Sequence, residues 1–306
     1  SRTFVSTPVS GLSYPKNRIK VLLLENINQE AIKSFEKEGY PVEYYEKTLP
    51  QDELIKKIMN ISILGIRSRT KIDGKLLKNS KHLIGLGAFC IGTNQINLST
   101  ASQNGIAVFN APYSNTRSVV ELMIGEIIVL MRNIIDKNNL LHKGIWNKST
   151  VNSHEIRGKT LGIIGYGNIG SQLSVLAESL GMRVLFFDKI DKLALGNAKK
   201  CLSLKEILKE SDVISVHVDG NPENQNFISE KEFRLMKPGI IFLNASRGFV
   251  VDIKALSKYI KEGKIGGAAV DVFPNEPKNK GDQFISELQN LPNVILTPHI
   301  GGSTEE

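Results

Sequence analysis

Cysteine is scarce in this 306-residue chain, with Cys90 and Cys201 the only two. Two thiols are too few for a disulfide framework or a four-ligand metal site, so no metal is expected and a reducing, cytoplasmic setting is. Tryptophan occurs once, at Trp146. Long apolar runs are missing as well: the most apolar window, 119–131, is interrupted by Glu121 and Glu126. It falls short of the ~20 residues that span a bilayer, so no membrane partner is expected. Lys and Arg outnumber Asp and Glu 39 to 31, a formal net charge of +8. No Lys/Arg block or zinc-finger spacing accompanies that excess, which favours small anionic ligands over nucleic acid. What remains is 41% apolar and 23% charged with 26 Gly and 11 Pro, a composition that excludes collagen, coiled coil and wholesale disorder. The length favours two domains.

Residues 1–18 are rich in Ser, Thr and Pro without periodicity and are expected to form a flexible arm. From Ile19 onward, short β-branched apolar runs alternate with helical patterns. Strands are expected at 19–24, 42–45, 61–66, 83–86 and 107–109, with helices near 31–37, 51–59, 74–78 and 97–103. Ser118-Val119-Val120-Glu121 reads as a capping box opening a long helix to about 135. That helix is apolar around most of its circumference and calls for burial against a second domain or another subunit. A second alternating series starts at Thr160, with strands at 161–164, 183–187, 213–217, 240–244, 267–270 and 294–297. Both series demand parallel, doubly wound α/β sheets.

The strongest local motif is Gly165-Tyr166-Gly167-Asn168-Ile169-Gly170, directly after the apolar strand and opening a helix. Gly165 permits the tight turn, Gly167 the approach of a pyrophosphate, and Gly170 close helix–strand packing. The helix start offers free N–H groups and a positive dipole end to the phosphates. Asp188, at the end of the next strand, can accept from adenosine ribose hydroxyls and repels a 2′-phosphate, which favours NAD over NADP. Lys189 beside it is a cation that could hold such a phosphate.

Three further residues follow apolar strands on the side where α/β sheets bind ligands: Arg247, Glu276 and His299. Oxidising a 2-hydroxy acid needs a base near neutrality for the hydroxyl proton, a carboxylate to orient that base, and a guanidinium for the substrate carboxylate and oxygen. His299, Glu276 and Arg247 supply these in turn. His217, at another strand end and flanked by Asp212 and Asp219, is the rival base.

The glycine motif with Asp188, together with Asn244-Ala245-Ser246-Arg247-Gly248, Asp271-Val272-Phe273-Pro274-Asn275-Glu276-Pro277 and Thr297-Pro298-His299-Ile300-Gly301-Gly302, resembles the D-isomer-specific 2-hydroxyacid dehydrogenases. The resemblance runs from about residue 19 to 306. It implies two Rossmann-like lobes: a flavodoxin-like substrate lobe over 19–114, to which the chain returns beyond 300, and a Rossmann NAD-binding lobe over 115–300. It implies catalytic roles for Arg247, Glu276 and His299. It also implies NAD contacts at Gly165, Gly167, Asn168, Ile169, Gly170, Asp188, His217, Ala245, Ser246, Arg247, Asp271, His299, Gly301 and Gly302.

Gly65-Ile66-Arg67-Ser68-Arg69-Thr70, Gly92, Asn115-Thr116-Arg117-Ser118 and Trp146-Asn147-Lys148 resemble the group within the family that acts on a phosphorylated 2-hydroxy acid. They imply substrate contacts at Arg67, Ser68, Arg69, Gly92, Asn115 and Lys148. A homodimer or homotetramer is implied too, because the Trp146 segment of relatives reaches a neighbouring subunit. The implied reaction interconverts 3-phosphoglycerate and 3-phosphohydroxypyruvate at the entry to serine synthesis. Reduction of hydroxypyruvate, glyoxylate or 2-oxoglutarate, or service as a dinucleotide-sensing corepressor, are the alternatives. Ala88 and Asp219 stand where relatives often carry Cys and Pro. Beyond Glu306 the resemblance implies a return helix and a small serine-sensing domain.

Overall fold

A computed structural model describes residues 14–277 and 281–304. The chain divides into two units, one ending at Ser114 and the other starting at Asn115. Residues 1–13 of the expected arm lie outside the described residues, while Lys16–Arg18 form a short 3-10 turn whose Lys16 ammonium donates to Glu38 at 2.8 Å.

The first unit runs β1 (Val21–Leu23), α1 (Gln29–Lys37), β2 (Val42–Tyr44), α2 (Gln51–Ile58), β3 (Ile63–Ile66), α3 (Gly74–Asn79), β4 (Gly85–Ala88), α4 (Leu98–Gln103) and β5 (Ala107–Asn110). Its strands are all parallel in the order β2-β1-β3-β4-β5, the doubly wound flavodoxin arrangement. Val21, Leu22 and Leu23 are wholly buried because helices cover both faces of a central parallel strand. Asn28, Asp73 and Asn97 cap α1, α3 and α4 by accepting backbone N–H bonds. The fourth strand begins two residues later than the expected 83–86: Leu83 and Ile84 lead in from a turn, and pairing with β3 starts at Gly85.

The second unit contains α5 (Thr116–Met131), α6 (Ile134–His142), β6 (Thr160–Ile164), α7 (Asn168–Ser179), β7 (Arg183–Phe187), β8 (Lys199–Lys200), α8 (Leu204–Glu210), β9 (Val213–Val216), α9 (Glu230–Leu235), β10 (Ile240–Asn244), α10 (Ile253–Lys261), β11 (Ile265–Val270) and β12 (Val294–Leu296). The seven strands are parallel in the order β12-β11-β10-β9-β6-β7-β8. Order reverses between β6 and β9, so their carboxyl ends flank the crevice where such sheets bind ligands.

Two expectations for the long helix are corrected. It starts at Thr116 and Asn115 gives it no side-chain cap; the Ser118 hydroxyl lies 3.3 Å from Thr304 Oγ1, and Glu121 pairs with Arg117. The Ser–Glu spacing of a capping box thus falls inside the first turns. The helix also stops at Met131, because Asn133 adopts a left-handed conformation (φ +51°) and α6 restarts beyond it. Val119, Val120, Met123, Ile127 and Leu130 form its buried stripe, packed with residues of β6, α7 and β10, whereas Ile128 is exposed. β8, a two-residue edge strand of exposed lysines, has no apolar pattern to announce it.

Candidate active site

The chain leaves β6 through Gly165, whose φ of +93° suits only glycine without strain. A Cβ there would overlap the His217 carbonyl, and one on Gly170 would overlap the carbonyl of Gly165. At Gly167 a Cβ would meet nothing within 4 Å, so this glycine borders open space at the start of α7. The first-turn amides of Asn168, Ile169 and Gly170 lack helical acceptors. Asp188, just past β7, is fixed by two donors: Tyr166 N–H to Oδ2 at 2.7 Å and Ile190 N–H to Oδ1 at 2.9 Å. Lys189 is engaged elsewhere, donating to Asn224 Oδ1 at 3.1 Å with its ammonium 5.4 Å from the Phe227 ring centre. Asn224 in turn donates to Asp219 Oδ1 at 2.8 Å.

Three segments at the carboxyl ends of β10, β11 and β12 carry the ionisable residues. Glu276 divides its oxygens: Phe273 N–H donates to Oε1 at 3.1 Å, and His299 Nδ1–H donates to Oε2 at 2.8 Å. The ring is thereby oriented, with Nε2 making no hydrogen bond among the described residues, and its side chain is 52% exposed, accessible to a ligand. His299 has φ +55°, a left-handed backbone that the surroundings must enforce. They do so through Asp271, buried after β11, which accepts from Thr297 Oγ1–H at 2.6 Å, Ile300 N–H at 2.9 Å and Gly301 N–H at 2.8 Å. A cavity of about 520 Å³ opens beside the pair, lined by Glu276, His299, Phe273, Phe284, Leu296 and Pro298.

Arg247 follows β10 and is exposed, with Nη1–H donating to the Ser246 carbonyl at 2.7 Å. Asn244, which sequence reasoning quoted only as part of a motif, shapes this turn. Its Oδ1 accepts from Ser246 N–H and Oγ–H at 3.0 and 2.8 Å, and its amide donates to the Arg247 carbonyl. Ser246 is buried and spends its hydroxyl on that bond, while Ala245 is half-buried. Gly248 lets this turn meet the Phe273–Pro274 backbone, which any Cβ would overlap. Gly301 and Gly302 likewise leave no room for a Cβ against Asp271 and Asn115.

His217 lacks the environment of a base. Neither Asp212, bound to Thr160 N–H and Lys237, nor Asp219 pairs with it. Its Nε2 shares a 2.7 Å hydrogen bond with Ser215 Oγ, its Nδ1 is sealed without a partner among the described residues, and burial pushes its pKa down to about 4.

In the first unit, Arg67, Ser68 and Arg69 form an exposed turn after β3. Glu25, absent from the expected set, holds that turn: its carboxylate accepts from the N–H groups of Arg67, Arg69 and Thr70 at 2.7, 2.8 and 3.3 Å. The Gln95 amide ties the Arg67 carbonyl at 2.8 Å and the Gly92 carbonyl at 3.2 Å. The backbone is therefore fixed by side-chain acceptors and donors from Glu25 and Gln95, while Arg67 and Arg69 are exposed. Lys148 in the second unit lies with Arg132, Lys137 and Trp146 around another cavity of about 370 Å³.

The family model for the D-isomer specific 2-hydroxyacid dehydrogenase NAD binding domain matches residues 124–301. The chain belongs to this family. It is 52% identical over 296 residues to D-3-phosphoglycerate dehydrogenase 1 of Saccharomyces cerevisiae, covering 94% of this chain and 63% of the yeast protein. With D-3-phosphoglycerate dehydrogenase of Dictyostelium discoideum the identity is 51%, over 96% of this chain and 72% of that protein. The crystal structure of D-lactate dehydrogenase with NAD+ from Lactobacillus jensenii matches with a TM-score of 0.84 at 26% identity, covering 94% of this chain and 91% of that one. The chain thus spans less than two thirds of the yeast relative's length. As a member of the family it contains a match to the family's NAD-binding domain. Its residues fit the cofactor: Gly167 borders open space at the start of α7, the first-turn amides of that helix lack helical acceptors and are of the kind that bind phosphates, and the fixed Asp188 carboxylate suits ribose hydroxyls.

Proposed function

We propose that the chain carries out NAD-linked interconversion of 3-phosphoglycerate and 3-phosphohydroxypyruvate. The observation that carries the chemistry is the divided Glu276 carboxylate, which orients His299 with its second nitrogen unpaired among the described residues. His299 Nε2 takes the hydroxyl proton of the substrate as the C2 hydrogen departs with its electron pair, and returns the proton in reduction. Glu276 stabilises the imidazolium formed. Arg247 offers forked donors to the substrate carboxylate and to the oxygen at C2. NAD, when bound, accepts the hydride at its nicotinamide ring. Asp271 supports this by holding both sides of the His299 turn, with Gly301 and Gly302 keeping the turn close.

The phosphorylated substrate is supported by the about-half identity to relatives described as D-3-phosphoglycerate dehydrogenases. The Arg67–Arg69 turn adds to it, since a substrate with both carboxylate and phosphate needs more cationic groups than Arg247 alone. Gly92, Asn115 and Lys148 complete the proposed substrate set. A homodimer or homotetramer is part of the reading, because Trp146 is 79% exposed beside exposed Leu141 and Ile145, an apolar surface suited to another subunit. A panel of phosphohydroxypyruvate, hydroxypyruvate, glyoxylate and 2-oxoglutarate with NADH tests the proposal. Phosphohydroxypyruvate should show a kcat/KM at least about tenfold above the others; turnover of only an unphosphorylated acid reassigns the substrate, and turnover of none rejects the enzyme reading.

A further inference from the structure

Lys189 directly follows Asp188, and a cation near such a strand end is what accommodates a ribose 2′-phosphate. Its charge works against the NAD preference of the Asp188 carboxylate. Tyr166 N–H and Ile190 N–H hold the two Asp188 oxygens, so the turn through Lys189 is fixed. The half-buried Lys189 side chain runs to the 219–227 segment beyond β9. There the ammonium donates to Asn224 Oδ1 at 3.1 Å and lies 5.4 Å from the centre of the Phe227 ring. Asn224 is only 5% exposed, and its peptide N–H donates to the Asn221 carbonyl at 2.9 Å. Its amide nitrogen donates to two oxygens of Asp219, the carbonyl at 3.2 Å and Oδ1 at 2.8 Å. A flipped amide would set an acceptor against those oxygens and N–H donors against the ammonium. The orientation with Oδ1 on Lys189 is the one that satisfies all three groups. Asp219 Oδ1 also accepts from Asn221 N–H at 3.2 Å, which ties the anchor into its own turn.

We propose that Asn224, anchored by Asp219, is a specificity-determining residue for the cofactor: it tethers the Lys189 ammonium so that no cation is available to pair with a 2′-phosphate beside Asp188. NAD presents hydroxyls at this point and needs none. A 2′-phosphate set against the Asp188 carboxylate is repelled unless a cation joins them, and an untethered lysine on its four-carbon stem would swing to it. The tether opposes that swing twice over. Leaving would strip a buried amide oxygen of its donor and take the ammonium off an aromatic face. An amide suits the post better than a carboxylate, because it donates to Asp219 and accepts from Lys189 at once. The inference rests on the assignment of Asp188 to the adenosine ribose and is independent of which oxo acid is reduced.

Calorimetry of the whole chain with NADH and with NADPH, in the absence of any oxo acid, tests this through the ratio of the two Kd values. The wild-type chain should bind NADH more tightly. N224A should lower the NADPH-to-NADH Kd ratio by about tenfold or more while the Kd for NADH moves less than about threefold. K189A should leave the ratio within about threefold of wild type, because the tethered ammonium serves neither dinucleotide, and K189A/N224A should return to the wild-type ratio. The change in N224A should shrink as salt is raised. A ratio unmoved in N224A, a fall that persists in K189A/N224A, or a rise in K189A, which would show Lys189 already serving a phosphate, overturns the proposal. So does a wild-type chain that binds NADPH as tightly as NADH. If N224A fails to fold by its melting curve, D219A, which removes the exposed anchor, decides together with K189A/D219A in the same way. D188A should weaken NADH by about tenfold or more. An unmoved NADH Kd in D188A places the ribose elsewhere, and the proposal falls with that assignment; in every other failure the assignment stands. No turnover is measured, so rejection of the proposed reaction leaves this test intact.

Discussion

His299 and His217 show how surroundings give one residue type two roles. Both follow strands of the same sheet, but only His299 has a carboxylate at hydrogen-bond distance, and only its second nitrogen is left free. A burial-depressed pKa of about 4 keeps His217 uncharged at every pH from about 5 upward. At neutrality it therefore has little capacity to hold a transferred proton. His299→Ala should cut kcat by about two to four orders of magnitude while changing the Kd for NADH less than about threefold, as read by single-turnover kinetics and calorimetry. Near-normal turnover would remove His299 as the base, and a matching loss of NADH binding would make its role structural. Glu25 and Asp271 act on a similar scale: each is a buried acid whose oxygens accept from backbone N–H groups, fixing a turn that bears exposed side chains assigned to the proposed reaction.

At the scale of elements, the β6–α7 turn separates glycines that close packing requires from Gly167, which packing does not require and which the proposed function assigns to a ligand. Gly170 faces the Gly165 carbonyl and Gly167 faces open space, with an ordinary negative φ of −84°. Gly167→Ala should keep its stability within about 1 kcal/mol of wild type and weaken NADH by about tenfold or more. Gly170→Ala should lose about 1–3 kcal/mol in denaturant unfolding as backbone gives way to the new methyl. Equal stability of the two variants would contradict this division. The α5–α6 break shows where patterns mislead. Apolar residues continue past Met131, so periodicity carries the helix on to about residue 135, but the left-handed conformation of Asn133 ends it. Similarly, the Ser118–Glu121 spacing matches a cap, yet Glu121 finds Arg117 and Ser118 approaches a segment far along the chain.

Over the whole molecule, the surplus of +8 favours anionic ligands without naming one, and its specific expression in the first unit is the Arg67–Arg69 turn. Arg69→Ala should raise KM for phosphohydroxypyruvate by about tenfold or more and leave glyoxylate within about threefold, because only the former carries a phosphate to pair with the guanidinium. Equal losses would remove the phosphate role. Added salt should raise the KM of the doubly anionic substrate more steeply than that of glyoxylate. No described helix is long and apolar enough to cross a membrane.

Alternation of apolar runs and helical patterns was enough to set two parallel α/β sheets, because burial on both faces leaves such strands almost wholly apolar. The glycine motif marked its turn for an equally local reason: positive φ and close backbone approach exclude side chains. Arg247, Glu276 and His299 were visible as residue types after strands, but the link from Glu276 to His299 spans 23 positions and exists only once β11 and β12 pair. Glu25 and Asn244 stayed illegible, since an acid or amide looks solvated in a sequence until its neighbours are known. Tertiary packing decided their roles by removing water and bringing each group its N–H donors.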